Sequence, residues 1–319
     1  MYETVEQILS EVRKMISGKD DCIKKTFAAM LAGGHILIED VPGVGKTTLA
    51  LAFSTAMSLE NHRMQFTPDV LPADILGFTM YDKESGQFYY REGAVMCNLF
   101  LADEINRTSP KTQSALLEVM EEGHVTVDGV SHQLPSPFIV IATENPKGSA
   151  GTQLLPESQL DRFMICISMG YPDFASELLI AQGKSSRNSM EQIVPVINAD
   201  GLTALQEEAD AVHVETCIYE YITKLMTLTR NHEFIELGVS PRGTIACVRM
   251  AKAWAYVNGR DYVLPEDVKE VFSDVTAHRI VLSAKARVAK LTAEKVVREL
   301  LAQVEMPNSF DLPKGRKKR

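Results

Sequence analysis

Lys46 and Thr47 close the stretch Glu39-Asp40-Val41-Pro42-Gly43-Val44-Gly45-Lys46-Thr47-Thr48, and 57 residues after Lys46 the apolar run Leu99-Phe100-Leu101-Ala102 ends in the carboxylates Asp103 and Glu104. Residues of these types at this spacing can bind and cleave a phosphoanhydride. A phosphate-binding loop needs Gly, four residues, then Gly-Lys-[Ser/Thr], and Gly45-Lys46-Thr47 supplies its end. Gly43 and Gly45 let backbone N–H groups turn inward on phosphate oxygens, and the following helix presents its positive end to the anion. Lys46 reaches for the β- and γ-phosphates, Thr47 offers its hydroxyl to Mg²⁺, and Thr48 opens the helix. The nucleotide-binding residues expected here are Asp40, Val41, Pro42, Gly43, Val44, Gly45, Lys46, Thr47 and Thr48. Asp40 stands where the pattern has its first glycine, and Asp is expected to serve because it visits left-handed backbone more readily than most residues.

The elements needed to position these groups are legible around them. Ile36-Leu37-Ile38 reads as a strand before the loop, and Leu49-Ala50-Leu51-Ala52-Phe53 as the helix after it. In such a site the first acid, Asp103, helps hold Mg²⁺ together with Thr47, and the second, Glu104, orients and deprotonates the attacking water. Both carboxylates end the strand, and because adjacent side chains on a strand point to opposite faces, each gets a different environment and a different job. A further buried strand, Phe138-Ile139-Val140-Ile141-Ala142-Thr143, ends in Glu144-Asn145-Pro146. Asn145 is placed to hydrogen-bond the γ-phosphate or the water, although Asn before Pro is also ordinary turn chemistry.

The 319 residues suffice for two domains. With 33 basic and 42 acidic residues the net charge is −9. Five of the last six residues, Lys314-Gly315-Arg316-Lys317-Lys318-Arg319, are basic, so the preceding body carries −14, which argues against nucleic acid as a partner. The tail reads as short and solvated, with an electrostatic handle for an acidic partner or membrane surface as the alternative. Five widely spaced cysteines with no Cys-x-x-Cys pair read as reduced thiols of a cytoplasmic protein. No apolar run approaches the roughly 18 residues of a membrane span, and Met1-Tyr2-Glu3-Thr4 lacks a signal peptide's basic and apolar regions.

Two amphipathic helices are expected over the first thirty or so residues, broken at Ser17-Gly18-Lys19-Asp20. Arg63-Met64-Gln65-Phe66 is a candidate strand. Two arms around Gly86, spanning residues 79–91, form a hairpin or flap, for which simple packing and contact with a substrate protein stand level. Residues 111–122 form a helix, and Asp128-Gly129 within residues 125–131 marks a type I′ hairpin. A short helix at residues 156–163 and a strand at 164–167 follow. Strands and helices thus alternate to about residue 168, the mark of a parallel, doubly wound α/β sheet. Beyond Gly170-Tyr171-Pro172-Asp173 the pattern is helical, with segments at 200–230, 241–258, 265–282 and 292–304. Ser240 caps the second of these and Pro241 opens it, which places Arg242 in the first turn; a cation there opposes the helix dipole and points to an anion nearby.

Taken together, Asp40-Val41-Pro42-Gly43-Val44-Gly45-Lys46-Thr47, Gln65-Phe66-Thr67-Pro68-Asp69, Leu101-Ala102-Asp103-Glu104-Ile105-Asn106-Arg107, Ile141-Ala142-Thr143-Glu144-Asn145-Pro146 and Leu160-Asp161-Arg162-Phe163 resemble the MoxR group of AAA+ ATPases, over nearly the whole chain. The resemblance implies a phosphate-loop ATPase core with a helical lid, assembled as a ring, with six subunits the expected number, and with ATP and Mg²⁺ at subunit boundaries. It implies that Asn145 is the first sensor, Arg242 the second, and Arg162 an arginine finger offered to the neighbouring subunit; without it, Arg162 reads as paired with Asp161 at a helix end. It also implies a chaperone-like remodeller of client proteins, with a von Willebrand factor A domain protein as partner. The segments at 78–93 and 125–130 fall where this group carries insertions facing the pore or substrate. Departures from the group's pattern are Asp40, Ser17-Gly18-Lys19 near the adenine position, and Gly93-Ala94-Val95 where Gly-Pro is frequent. The expected division is an ATPase core at 1–172, a helical linker at 173–199, a helical lid at 200–308 and a basic tail at 309–319. Alternatives are a chelatase-type metal-insertion motor subunit, a nucleotide-gated assembly scaffold, and a DNA-remodelling motor, the last disfavoured by the acidic body.

Overall fold

A five-stranded sheet, four of its strands apolar and the edge strand at residues 61–65 polar, fixes the architecture of the amino-terminal unit. In the computed structural model, which describes residues 2–16, 18–145, 153, 155–182 and 192–307, the chain divides into two compact units, Met1–Glu207 and Glu208–Arg319. The basic tail, Ser17 and Pro146 lie outside the described residues.

The first unit begins with α1 (Tyr2–Arg13) and α2 (Asp20–Leu31), whose apolar residues Val5, Ile8, Leu9, Val12, Ile23 and Phe27 are fully buried at helical spacing. Then follow β1 (Ile36–Glu39), α3 (Lys46–Ala56), β2 (Asn61–Gln65), α4 (Pro72–Leu76), β3 (Gly77–Asp82), β4 (Gln87–Glu92), β5 (Leu99–Asp103), α5 (Pro110–Glu122), β6 (His124–Val127), β7 (Val130–Gln133), β8 (Ile139–Glu144), α6 (Glu157–Leu160), β9 (Ile165–Ile167) and α7 (Phe174–Ala181). The main sheet is parallel throughout, in the order β2-β5-β8-β1-β9. A strand covered on both faces must be apolar along its length, and every residue of β5 is buried, as are the first five of β8. This order makes β5, β8 and β1 adjacent, so the segments leaving their carboxyl ends meet at one edge, where ligands bind in open α/β sheets.

Both expected hairpins form. In β3–β4, Gly77 pairs with Glu92 and Asp82 with Gln87; the Asp82 carboxylate accepts the turn N–H groups of Glu84 and Ser85. At its base a Cβ on Gly93 would lie 2.1 Å from the Ile75 carbonyl oxygen, so only glycine fits there. In β6–β7, Asp128 and Gly129 both have positive φ, +48° and +80°, as a type I′ turn requires. Tyr90 and His132 stack with ring centroids 3.8 Å apart, joining one hairpin to the other.

The second unit consists of helices with one small sheet: α8 (Ala199–Asp210), which spans the boundary, α9 (Thr216–Arg230), β10 (Ile235–Leu237), α10 (Pro241–Val257), α11 (Pro265–Thr276), β11 (Val281–Leu282), α12 (Ala284–Val288) and α13 (Ala293–Gln303). Tyr221, Leu225, Met250, Val271, Phe272, Val275 and Leu300 fill its core. The helix expected over 265–282 stops at Thr276; a 3-10 turn, Ala277–Arg279, follows, and the β-branched pair Ile280-Val281 turns extended to pair β11 with β10. Arg260 makes a two-pronged ion pair with Asp267, which also accepts the Leu264 N–H at the start of α11. No helix among the described residues is long and apolar enough to cross a membrane.

Candidate nucleotide-binding site

The glycine loop leaves β1 and ends at the first residue of α3, Lys46, with Gly45 as its N-cap. Gly43 has φ +87° and Gly45 φ +101°. A Cβ on Gly43 would meet nothing within 4 Å, so it is the backbone conformation that demands glycine there, not lack of room. The first-turn N–H groups of α3 have no carbonyl partners within the helix, and with the helix dipole they suit an anion.

Asp40 works differently from the sequence expectation. Its φ is not positive; its carboxylate is a buried acceptor instead. Oδ1 takes the Val41 N–H at 2.8 Å, and Oδ2 takes the Ser168 hydroxyl at 3.0 Å and the Gly170 N–H at 2.6 Å. Asp40 therefore ties the start of the loop to the segment leaving β9. Its own carbonyl receives Lys46 Nζ at 2.6 Å, with the Glu144 carbonyl at 3.4 Å. Burial lowers the Lys46 pKa, and the charges of Asp40, Asp103 and Glu104 act in the opposite sense.

Thr47 Oγ1 lies 3.5 Å from Asp103 Oδ2, so a hydroxyl and a carboxylate meet beside the loop. These are hard oxygen donors. No cluster of three or more His, Cys, Asp or Glu occurs among the described residues, so a cation here would draw its remaining ligands from water and phosphate, which is how Mg²⁺ binds. The donor set fits that ion. Asp103 Oδ1 accepts the Thr143 hydroxyl at 2.6 Å, and Oδ2 accepts Arg63 at 2.8 Å.

Glu104 and Asp103 do get different environments, but not by strand alternation. β5 ends at Asp103, and Glu104 takes left-handed backbone, φ +57° and ψ +50°, before the 3-10 turn Ile105–Arg107. Its N–H donates to Thr143 Oγ1 at 2.8 Å. Arg107 Nη1 reaches Glu104 Oε2 at 2.8 Å, and this bond, helped by one from the Asn145 side chain, holds the Glu104 carboxyl below the usual range against the opposing effect of burial. Left-handed backbone in a non-glycine residue at the mouth of a site is strain of the kind concentrated in functional loops. Asn145 thus meets Glu104, and its buried amide oxygen has no hydrogen-bond partner among the described residues. Asn106 Nδ2 donates to the Asn145 carbonyl at 3.2 Å, and Gln113 pins the turn through the Ile105 and Thr108 carbonyls.

Family models match the two halves of this arrangement: residues 35–165 fit the ATPase family associated with various cellular activities (AAA), and residues 227–300 fit an AAA lid domain. Chaperone MoxR1 of Mycobacterium tuberculosis is 36% identical over 321 residues, covering 97% of this chain and 84% of that protein. The chain belongs to the MoxR family of AAA+ ATPases. The uncharacterized protein YeaC of Bacillus subtilis is 44% identical over 307 residues, covering 96% of each chain. A solved structure from Cytophaga hutchinsonii superposes on this MoxR-family chain with a TM-score of 0.89 at 37% identity, again covering 96% of each. Nucleotide binding comes with the family.

Within this MoxR-family chain, then, the structure brings Lys46, Thr47, Asp103, Glu104 and Asn145 together at one sheet edge. Arg162 stands apart from that cluster: its Nε lies 3.1 Å from Glu121 at the end of α5. Arg242 is exposed in the first turn of α10, in the second unit, where Ser240 accepts the Gly243 N–H as N-cap. Sequence reasoning gave no role to Arg63, Arg107 or Thr143, the groups that hold the two carboxylates. Arg107 was within reach, because a cation three residues after an acid in a helical turn is an i,i+3 pair. The contacts of Arg63 and Thr143 depend on strand order.

Proposed function

We propose that the chain binds Mg-ATP between the glycine loop and the acidic end of β5, hydrolyses it as one subunit of a six-membered ring, and uses the cycle to remodel client proteins. The observation that supports the reading most is the convergence of Lys46, Thr47, Asp103, Glu104 and Asn145 through the adjacency of β1, β8 and β5.

In this reading, Lys46 leaves the Asp40 carbonyl to meet β- and γ-phosphate oxygens, while N–H groups of residues 43–48 line the phosphates. Thr47 and Asp103 would hold Mg²⁺, which would draw negative charge from the phosphates. Glu104 takes a proton from water as the water oxygen attacks the γ-phosphorus; the bond to the β–γ bridging oxygen breaks, giving ADP and phosphate. Asn145, already beside Glu104, orients that water. Arg107 holds only Oε2 of Glu104, which leaves the other carboxylate oxygen to take the proton. Arg162, released from Glu121, stabilises charge on a neighbour's γ-phosphate, and Arg242 keeps the second-sensor role that the family resemblance implies. The client reading draws on the relative named Chaperone MoxR1 and on the family resemblance, which implies a von Willebrand factor A domain protein as partner.

Binding of a fluorescent ATP analogue to wild type and Lys46→Ala tests the first step. The expected result is saturable, Mg²⁺-promoted binding by wild type and loss of at least about a hundredfold in affinity for the variant, whose melting curve stays cooperative. Equal affinities would remove the loop from the binding site.

A further inference from the structure

Asp103 offers one oxygen to two cations. Its Oδ1 is committed to the Thr143 hydroxyl at 2.6 Å. Its Oδ2 is the oxygen nearest Thr47, and the same atom carries the Arg63 guanidinium, with Nη2 at 2.8 Å and Nε at 3.3 Å. The contact follows from the sheet register. In the β2–β5 ladder Arg63 lies opposite Leu101, and Leu101 and Asp103 share a face two residues apart, roughly 6.6 Å along the strand, which a long side chain can span. The Arg63 side chain is 50% exposed and that of Asp103 only 10%. The guanidinium can therefore move off into water, whereas the carboxylate stays put.

We propose that Arg63 is a built-in counter-ion for the metal-holding carboxylate: it occupies Asp103 Oδ2 when no metal is bound, yields that oxygen to Mg²⁺, and so sets how strongly nucleotide binding depends on magnesium. The proposal rests on the nucleotide reading above and assigns Arg63 a positioning role. Two effects act in the same direction. With Arg63 in place, Mg²⁺ must displace a cation from Oδ2, which weakens the metal's hold. Without metal, Arg63 neutralises Asp103 and spares nucleotide phosphates the repulsion of a bare carboxylate. Removal of Arg63 should strengthen binding in the presence of Mg²⁺ and weaken it in its absence. A side chain that merely braced β2 against β5 would change both affinities together.

The test is titration of the full-length chain with a fluorescent ADP analogue in excess Mg²⁺ and in EDTA, for wild type, Arg63→Ala and Arg63→Lys. The expected result is a ratio of metal-free Kd to Mg²⁺ Kd that rises about fivefold in Arg63→Ala and less in Arg63→Lys, since the contact is a partly exposed charged pair. In parallel, Mg²⁺ alone should raise the melting temperature of Arg63→Ala more than that of wild type. This second readout needs no nucleotide and applies equally to Arg63→Lys if the alanine variant folds poorly. A ratio within twofold of wild type together with equal Mg²⁺ melting shifts would overturn the proposal. Wild type that binds no nucleotide in either buffer would instead refute the nucleotide reading on which it rests.

Discussion

The Thr143 hydroxyl donates to Asp103 Oδ1 at 2.6 Å and accepts the N–H of Glu104 at 2.8 Å, so a single side chain at the end of β8 positions both acids at the end of β5. Thr143 is fully buried and Asp103 nearly so. Thr143→Val keeps the shape and deletes both bonds, leaving a buried carboxylate oxygen short of a partner; the expected cost is about 2 kcal/mol in urea unfolding. Turnover should fall further than nucleotide affinity, because Glu104 loses its anchor. Unchanged stability and kcat would show that the hydroxyl is dispensable.

The Arg107–Glu104 bond predicts a pH effect. Glu104 has a folded pKa below its ordinary value, chiefly through Arg107, so the stabilisation from this pair is present above the ordinary glutamate pKa and is lost as pH falls through the folded value. Its size stays under about 1 kcal/mol because the Arg107 side chain is 45% exposed. Arg107→Ala lets the carboxyl rise towards its ordinary pKa, and the acid limb of the pH–rate profile should move to higher pH. An acid limb that stays in place would separate the base from this residue.

Asp40→Gly restores the residue that the loop pattern calls for, yet it should destabilise the chain. It deletes the acceptor for Val41 N–H, Ser168 Oγ and Gly170 N–H, at an expected cost of about 3 kcal/mol by denaturant titration. A neutral or stabilising result would mean that those donors find water without loss.

Arg162 is held by Glu121 within its own chain, and its proposed action is on a neighbour. Arg162→Ala subunits should be inactive alone but partly active when mixed with Glu104→Gln subunits, since each supplies what the other lacks. Absence of rescue at every mixing ratio would confine Arg162 to its pairing with Glu121.

Local chemistry made much of this molecule readable from sequence. The Gly43-to-Thr47 loop, the acids closing β5, the Asp128-Gly129 turn and the Ser240-Pro241 helix start each carry their signal within a few residues. Arg63 and Thr143 carry none, because each meets Asp103 only through the order β2-β5-β8, across 40 residues of chain in either direction. The apolar run Leu99 to Ala102 suggests a strand that continues through Glu104; instead Glu104 closes it in left-handed backbone, bonded to Thr143 and leading into the 3-10 turn. The β10–β11 pair escaped notice for a related reason: strands of three and two residues are too short for an alternating pattern. The sequence suggests a left-handed Asp40 in place of glycine, whereas its carboxylate accepts from Ser168 and Gly170, donors too remote in sequence to be read there.

Ring assembly and hydrolysis with Glu104 as the base make one joint prediction. Its most direct test is mass by light scattering for wild type and Glu104→Gln, with and without Mg-ATP, alongside phosphate release. Nucleotide-dependent assembly to the mass of six subunits is expected, more complete in Glu104→Gln, whose turnover falls by about a hundredfold or more. A chain that remains monomeric and hydrolyses ATP equally fast at every concentration, with Glu104→Gln as active as wild type, would contradict it.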